Sequence, residues 1–187
     1  MTALEAGSVE LARFAVRPEW FVCGMHAGMH CIQAWAPAER IVEHLHALAA
    51  HLASVDDDTV DVFVHDHRSA RRWAGARIPL TDVRDAVSRI RLPLAAYGEV
   101  ELSMATATDQ LVLAPALLLV VYATTPRWPF LCEALGLVQR DTVPAPTWGT
   151  VADHAAQSRP GDADARTPLV AALESFAERL GLMAVVE

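Results

Sequence analysis

Twice along this chain a pair of segments with strand periodicity is followed directly by a segment with helical periodicity, and this alternation restricts the fold more than any other feature. Phe21-Val-Cys-Gly-Met-His26 and Met29-His-Cys-Ile-Gln-Ala-Trp35 are separated only by Ala27 and Gly28, the spacing of a two-residue hairpin. Pro37 then opens a helix in which Ile41, Leu45, Leu48 and Leu52 form one apolar stripe. After the polar turn at Asp56 to Asp58, Val60, Val62 and Val64 alternate with Asp61, Phe63 and His65 as in a strand. A basic loop is expected from Arg68 to Arg77. Thr81 is placed as the N-cap of a helix carrying Val83, Val87 and Ile90, which Pro93 ends or kinks.

The second pair begins with Val100, Leu102, Met104 and Thr106 at strand spacing. Seven consecutive apolar residues, Ala116 to Tyr122, predict a strand buried on both faces, with Pro115 marking a bulge or edge before it. A helix from about Pro126 carries Trp128, Leu131 and Leu135, and Gly136 with Leu137 closes it as a glycine C-cap. Thr167-Pro168 reads as the start of a last helix with Leu169, Leu173, Phe176 and Leu180 on one side, and a short strand follows from Leu182 to Val186. Neighbouring strands in runs favour an α+β fold, a mostly antiparallel sheet with helices packed against it, in the order ββαβαββα-loop-αβ. The expected organisation is a single domain over 1–187: a main body at 1–138, an irregular crossing segment at 139–166, rich in proline and scattered charge, and a C-terminal helix and strand at 167–187.

Length and composition agree with one sizeable core. A chain of 187 residues can bury about 70% of its unfolded surface, and 53% hydrophobic residues exclude wholesale disorder. The longest apolar run, Leu111 to Ala123, is interrupted by Pro115 and is short of the roughly 20 residues of a membrane span. No signal-peptide pattern opens the chain, and three cysteines are an odd number for a disulfide scaffold, so a soluble cytoplasmic protein is expected. A formal net charge of -8 disfavours general nucleic-acid binding, which needs cations to neutralise phosphates. All 15 basic residues are arginine. Without lysine there is no Schiff-base amine and no lysine-containing phosphate loop.

The densest chemistry lies in Cys23-Gly-Met-His-Ala-Gly-Met-His-Cys31, which holds two cysteines, two methionines and two histidines. A two-residue turn sends residues of opposite parity to opposite faces, with Trp20, Val22, His26, Met29, Cys31 and Trp35 on one and Phe21, Cys23, Met25, His30 and Ile32 on the other. Each half then offers one Cys, one Met and one His, a soft set suited to copper(I) or, with a fourth ligand, zinc. The alternative is a hairpin packed on the core, with Trp20 and Trp35 as a cross-strand pair. His65-Asp66-His67 places two histidines on one strand face, a spacing of strand-borne metal sites, and no third ligand follows nearby in sequence. A joint site of Cys23, His30, His65 and His67 requires the hairpin and that strand to be neighbours.

Arg68, Arg71, Arg72 and Trp73 form a basic patch with an aromatic, a constellation that holds phosphates, carboxylates or an acidic partner. No Gly-x-Ser-x-Gly, Cys-x-x-Cys or dinucleotide fingerprint is present. A rich core without a complete catalytic motif leads to a non-catalytic binding or regulatory domain for a protein partner or small ligand, a homodimer being one such form, with no cofactor expected. The alternatives are a zinc or copper protein, or a metal-dependent enzyme, using the Cys and His residues, and an anion-binding regulator using the arginines.

Overall fold

The computed structural model describes residues 19–52, 57–97, 99–142 and 163–185. They form an α+β architecture built on one nine-stranded sheet, mixed but mostly antiparallel, with five α-helices. In chain order the strands are β1 (Trp20–His26), β2 (Met29–Trp35), β3 (Thr59–Asp66), β4 (Arg71–Pro79), β5 (Val100–Ala105), β6 (Asp109–Ala114), β7 (Leu118–Ala123), β8 (Val138–Arg140) and β9 (Met183–Ala184). The helices are α1 (Ala38–Ala49), α2 (Leu80–Arg89), α3 (Arg91–Tyr97), α4 (Trp128–Ala134) and α5 (Ala163–Arg179). Across the sheet the order is β8-β1-β2-β7-β6-β5-β3-β4-β9. Only the β1–β8 edge pair is parallel.

The hairpin forms with the register that a two-residue turn dictates, from Trp20 opposite Trp35 to His26 opposite Met29. Ala27 and Gly28 both take positive φ, 49° and 83°, as a type I′ turn requires. Helix α4 ends as its sequence predicts: Leu137 N–H reaches back to the Cys132 carbonyl at 3.1 Å, and the Leu137 side chain is buried.

Several elements depart from the sequence expectation. The stretch expected as a basic loop is a tight turn followed by β4, with Trp73 and Ile78 facing the core. A bulge between Val60 and Val62 sets Asp61 against two residues, and Arg77, at φ 55°, donates its N–H to Asp61 Oδ1 at 2.9 Å. The apolar run from Leu111 is two strands, β6 and β7, joined by a 3₁₀ turn at Pro115–Leu117 in which Ala116 and Leu117 have positive φ. Pro79, and not Thr81, precedes the first turn of α2. Ile90 breaks the helix there, and Pro93 sits in the first turn of α3, where no backbone donor is needed. Helix α5 begins at Ala163, so Thr167 and Pro168 lie inside it. Strand β8 occupies the start of the expected crossing segment, whose residues 143–162 lie outside the described ones. No described helix is long and apolar enough to cross a membrane.

One parity of the sheet forms the core. Phe21, Ile32, Ala34, Val60, Val62, Val64, Leu102, Met104, Leu111, Leu113, Leu119 and Val121 join a single cluster with Ile41, Leu45, Leu48, Val83, Val87, Leu94, Trp128, Leu173 and Phe176 of the helices. Residues of the other parity are absent from it. All five helices therefore contribute to one side, and among the described residues no helix or strand packs on the other.

Candidate functional site

The uncovered side of the sheet is defined by strand register. Trp20, Val22 and His26 of β1 lie beside Met29, Cys31, Gln33 and Trp35 of β2. Cys31 and Gln33 pair with Tyr122 and Val120 of β7, which pair in turn with Gln110 and Val112 of β6. Ser103 and Ala105 of β5, then Asp61, Phe63 and His65 of β3, continue the row to Arg72 and Ala74 of β4. Its middle, from β2 to β6, contains no charged side chain. Trp20 and Trp35 stack with centroids 4.1 Å apart and an interplanar angle of 21°, the cross-strand aromatic pair expected from sequence. Gln110 Nε2 donates to Ser103 Oγ at 2.8 Å, so two of the polar groups here satisfy one another.

Charge and imidazole collect at one rim. His65 lies directly opposite Glu101 in the β3–β5 ladder, and His67 N–H extends that ladder by donating to the Glu99 carbonyl at 3.2 Å. Two residues past His65, His67 points its ring to the same side, and the two ring centroids are 3.8 Å apart. His67 Nε2 is 3.5 Å from Glu101 Oε2. One ligand atom from each of His65, His67 and Glu101 lies within 4.8 Å of the other two, and this is the one such group of three among the described residues. Burial, then the neighbouring charges of His67 and Arg72, hold the His65 imidazole below its ordinary pKa against the opposing pull of Glu101 and Asp66. Arg72 Nε donates to His65 Nε2 at 3.4 Å.

The two histidines of the 65–67 segment are thus brought together, and a neighbouring strand, invisible to local spacing, supplies the carboxylate that the sequence lacks nearby. Cys23 and His30 are not brought to them. They point to the helix side of the hairpin, and β7, β6 and β5 separate β2 from β3, about 19 Å of sheet. The four-residue site joining Cys23, His30, His65 and His67 therefore does not assemble. Within the hairpin itself the soft ligands divide between the faces as the register requires.

All three cysteines are free thiols. Burial, then Glu133 and Cys31, raises the Cys23 thiol; burial raises Cys31 against a hydrogen bond with Gln33; burial pushes Cys132 up to about 12. None is activated toward thiolate, the form that attacks and binds metals.

The arginine patch disperses as well. Arg68 pairs with Glu99, and Arg71 reaches across to Glu174 of α5. Arg72 faces the open side, while Trp73 is buried among the helices. The buried Asp66 is occupied locally, accepting from Arg68 N–H at 3.1 Å and from Ser69 Oγ at 2.5 Å. The four residues do not converge on one point. Comparison with family models, with curated proteins and with solved structures gives no match, so a functional reading rests on this geometry.

Proposed function

We propose that this protein is a non-catalytic binding domain whose working surface is the open side of its sheet, and that the surface is occupied by a second copy of the chain. The carrying observation is the side-chain pattern. An antiparallel sheet that faces water on one side alternates apolar inward with polar outward. Here the outward positions include Trp20, Val22, Trp35, Leu118, Val120, Tyr122, Val112 and Phe63. Val112 and Val120 are buried among their neighbours, and Trp20, Val22, Trp35, Leu118, Tyr122 and Phe63 are half-buried, so the apolar area left to water is a row of partly covered side chains, and a contiguous apolar patch marks an interaction site.

Dimension and charge favour a second copy. The five adjacent strands from β1 to β5, about 4.8 Å apart and about 20 Å long, give roughly 500 Å² per copy and about 1,000 Å² for the pair, the lower bound of a specific interface. Two chains each bearing a formal charge of -8 repel, and an uncharged centre keeps that repulsion out of the contact. The aromatic residues and the polar rim match the anatomy of such interfaces. Two such sheets would stack about 10 Å apart as in a sandwich.

Sedimentation equilibrium tests this reading. The wild type is expected to be a dimer. Tyr122→Arg, at a half-buried position on the face, brings two guanidiniums into a two-fold contact and is expected to weaken association by about 1000-fold or more. Val22→Arg repeats the test at another half-buried position of the face, with circular dichroism to confirm that each variant folds. A monomeric wild type, or folded variants that stay dimeric, would overturn the proposal.

A further inference from the structure

The His65–His67–Glu101 group invites a different reading, one that does not depend on self-association. We propose that these three side chains form a binding site for a divalent first-row transition ion, with zinc as the natural test ion. Two imidazoles and one carboxylate are the donor set of open zinc sites, which leave a fourth position to water or a ligand. The geometry is close to what the ion demands. With bonds of about 2.0–2.1 Å, donor atoms of a tetrahedral site are separated by about 3.3–3.4 Å. His67 Nε2 and Glu101 Oε2 already stand 3.5 Å apart, and no pair in the group exceeds 4.8 Å.

Closing the remaining gap needs only side-chain rotation. His67 and Glu101 are 39% and 32% exposed, so their rotamers are not locked by packing. His65 and Glu101 are fixed as cross-strand partners by the β3–β5 ladder, which supplies a stiff base. The hydrogen bond from Arg72 Nε to His65 Nε2 would have to yield if that nitrogen took up the ion. Arg72 thus acts as a brake on affinity, through both its donor and its charge.

Zinc titration of the full, tag-free chain by calorimetry, followed by cobalt(II) substitution, tests the site. One ion per chain is expected, with a cobalt spectrum of nitrogen and oxygen ligation. His67→Ala, at an exposed position, and Glu101→Gln, at a half-buried one, should weaken binding by about tenfold or more. Arg72→Ala should tighten it. Unchanged affinity in His67→Ala and Glu101→Gln would overturn the assignment. So would a thiolate-to-cobalt charge-transfer band, which would place the ion at the cysteines of the hairpin. Both readouts are independent of whether the chain is a dimer.

Discussion

Removing Arg127 should cost the fold more than neutralising its partner, although the two share one ion pair. The Asp109 side chain is 2% exposed and its Oδ2 accepts from Arg127 Nη2 at 2.6 Å, while the arginine side chain is 45% exposed. The same Nη2 also donates to the His51 carbonyl at 2.8 Å, just past α1, and the guanidinium lies 5.3 Å from the Trp128 ring. Arg127→Met keeps most of the aliphatic stem but leaves a carboxylate buried without its cation. Such a loss costs about 3–5 kcal/mol where both charges are buried, and the wet arginine reduces this to about 2–4 kcal/mol. Asp109→Asn leaves an acceptor for Arg127 and returns an uncompensated guanidinium only to water, so about 1 kcal/mol is expected. In the Asp109→Asn background the Arg127→Met step should shrink to about 1 kcal/mol, because no buried charge remains to be orphaned. Urea unfolding of the four proteins measures the cycle. Equal costs for the two single variants, or no coupling between them, would refute the claim that burial of the acid governs this pair.

Two further outcomes follow from groups away from the open face. Burial opposes ionisation of Glu19, but hydrogen bonds from Arg40 at 2.9 Å and with the buried His44 at 2.6 Å hold its carboxyl below the ordinary value of 4.5. A depressed folded-state pKa gives stability that is full above that value and fades as pH falls through the folded one, so Glu19→Gln should lose about 1–2 kcal/mol at pH 7 and almost nothing in strong acid, a pH dependence that chemical unfolding would expose or deny. Cys132, fully buried and with its thiol raised to about 12, should label with a thiol reagent only on unfolding, whereas the exposed Cys23 should label in the native protein; simultaneous labelling of both would contradict the packing.

The parts of the fold written in local pattern were legible from sequence. The two-residue spacing of Ala27-Gly28 set the β1–β2 register, and with it which side of the sheet each Cys, Met and His occupies. The stripe of Ile41, Leu45 and Leu48 placed α1. What escaped had no local signature. Strand β4 carries arginines, Gly75 and a terminal proline, and a bulge shifts its register, so its alternation was masked. The break between β6 and β7 uses left-handed Ala116 and Leu117 where glycine or asparagine ordinarily announces a turn. Glu101 could be found only from the pairing of β3 with β5, which sets it opposite His65 although the two are 36 residues apart in sequence. That is why local spacing joined Cys23 and His30 to the two histidines, while the structure sets Glu101 beside them instead.

Sheet parity also explains why the two proposed activities can share one side of the molecule. Apolar side chains dominate the uncovered positions of β1, β2, β7 and β6, whereas Asp61, His65 and Arg72 take the equivalent positions of β3 and β4. Dispersion and desolvation reward covering the first group, and a water-excluding contact over the second would strand unpaired charge at several kcal/mol per ion. A partner sheet is therefore expected to centre on the apolar strands and leave the imidazole rim in water. An ion at His65, His67 and Glu101 would then sit beside the contact and not within it, reachable by solvent in either oligomeric state.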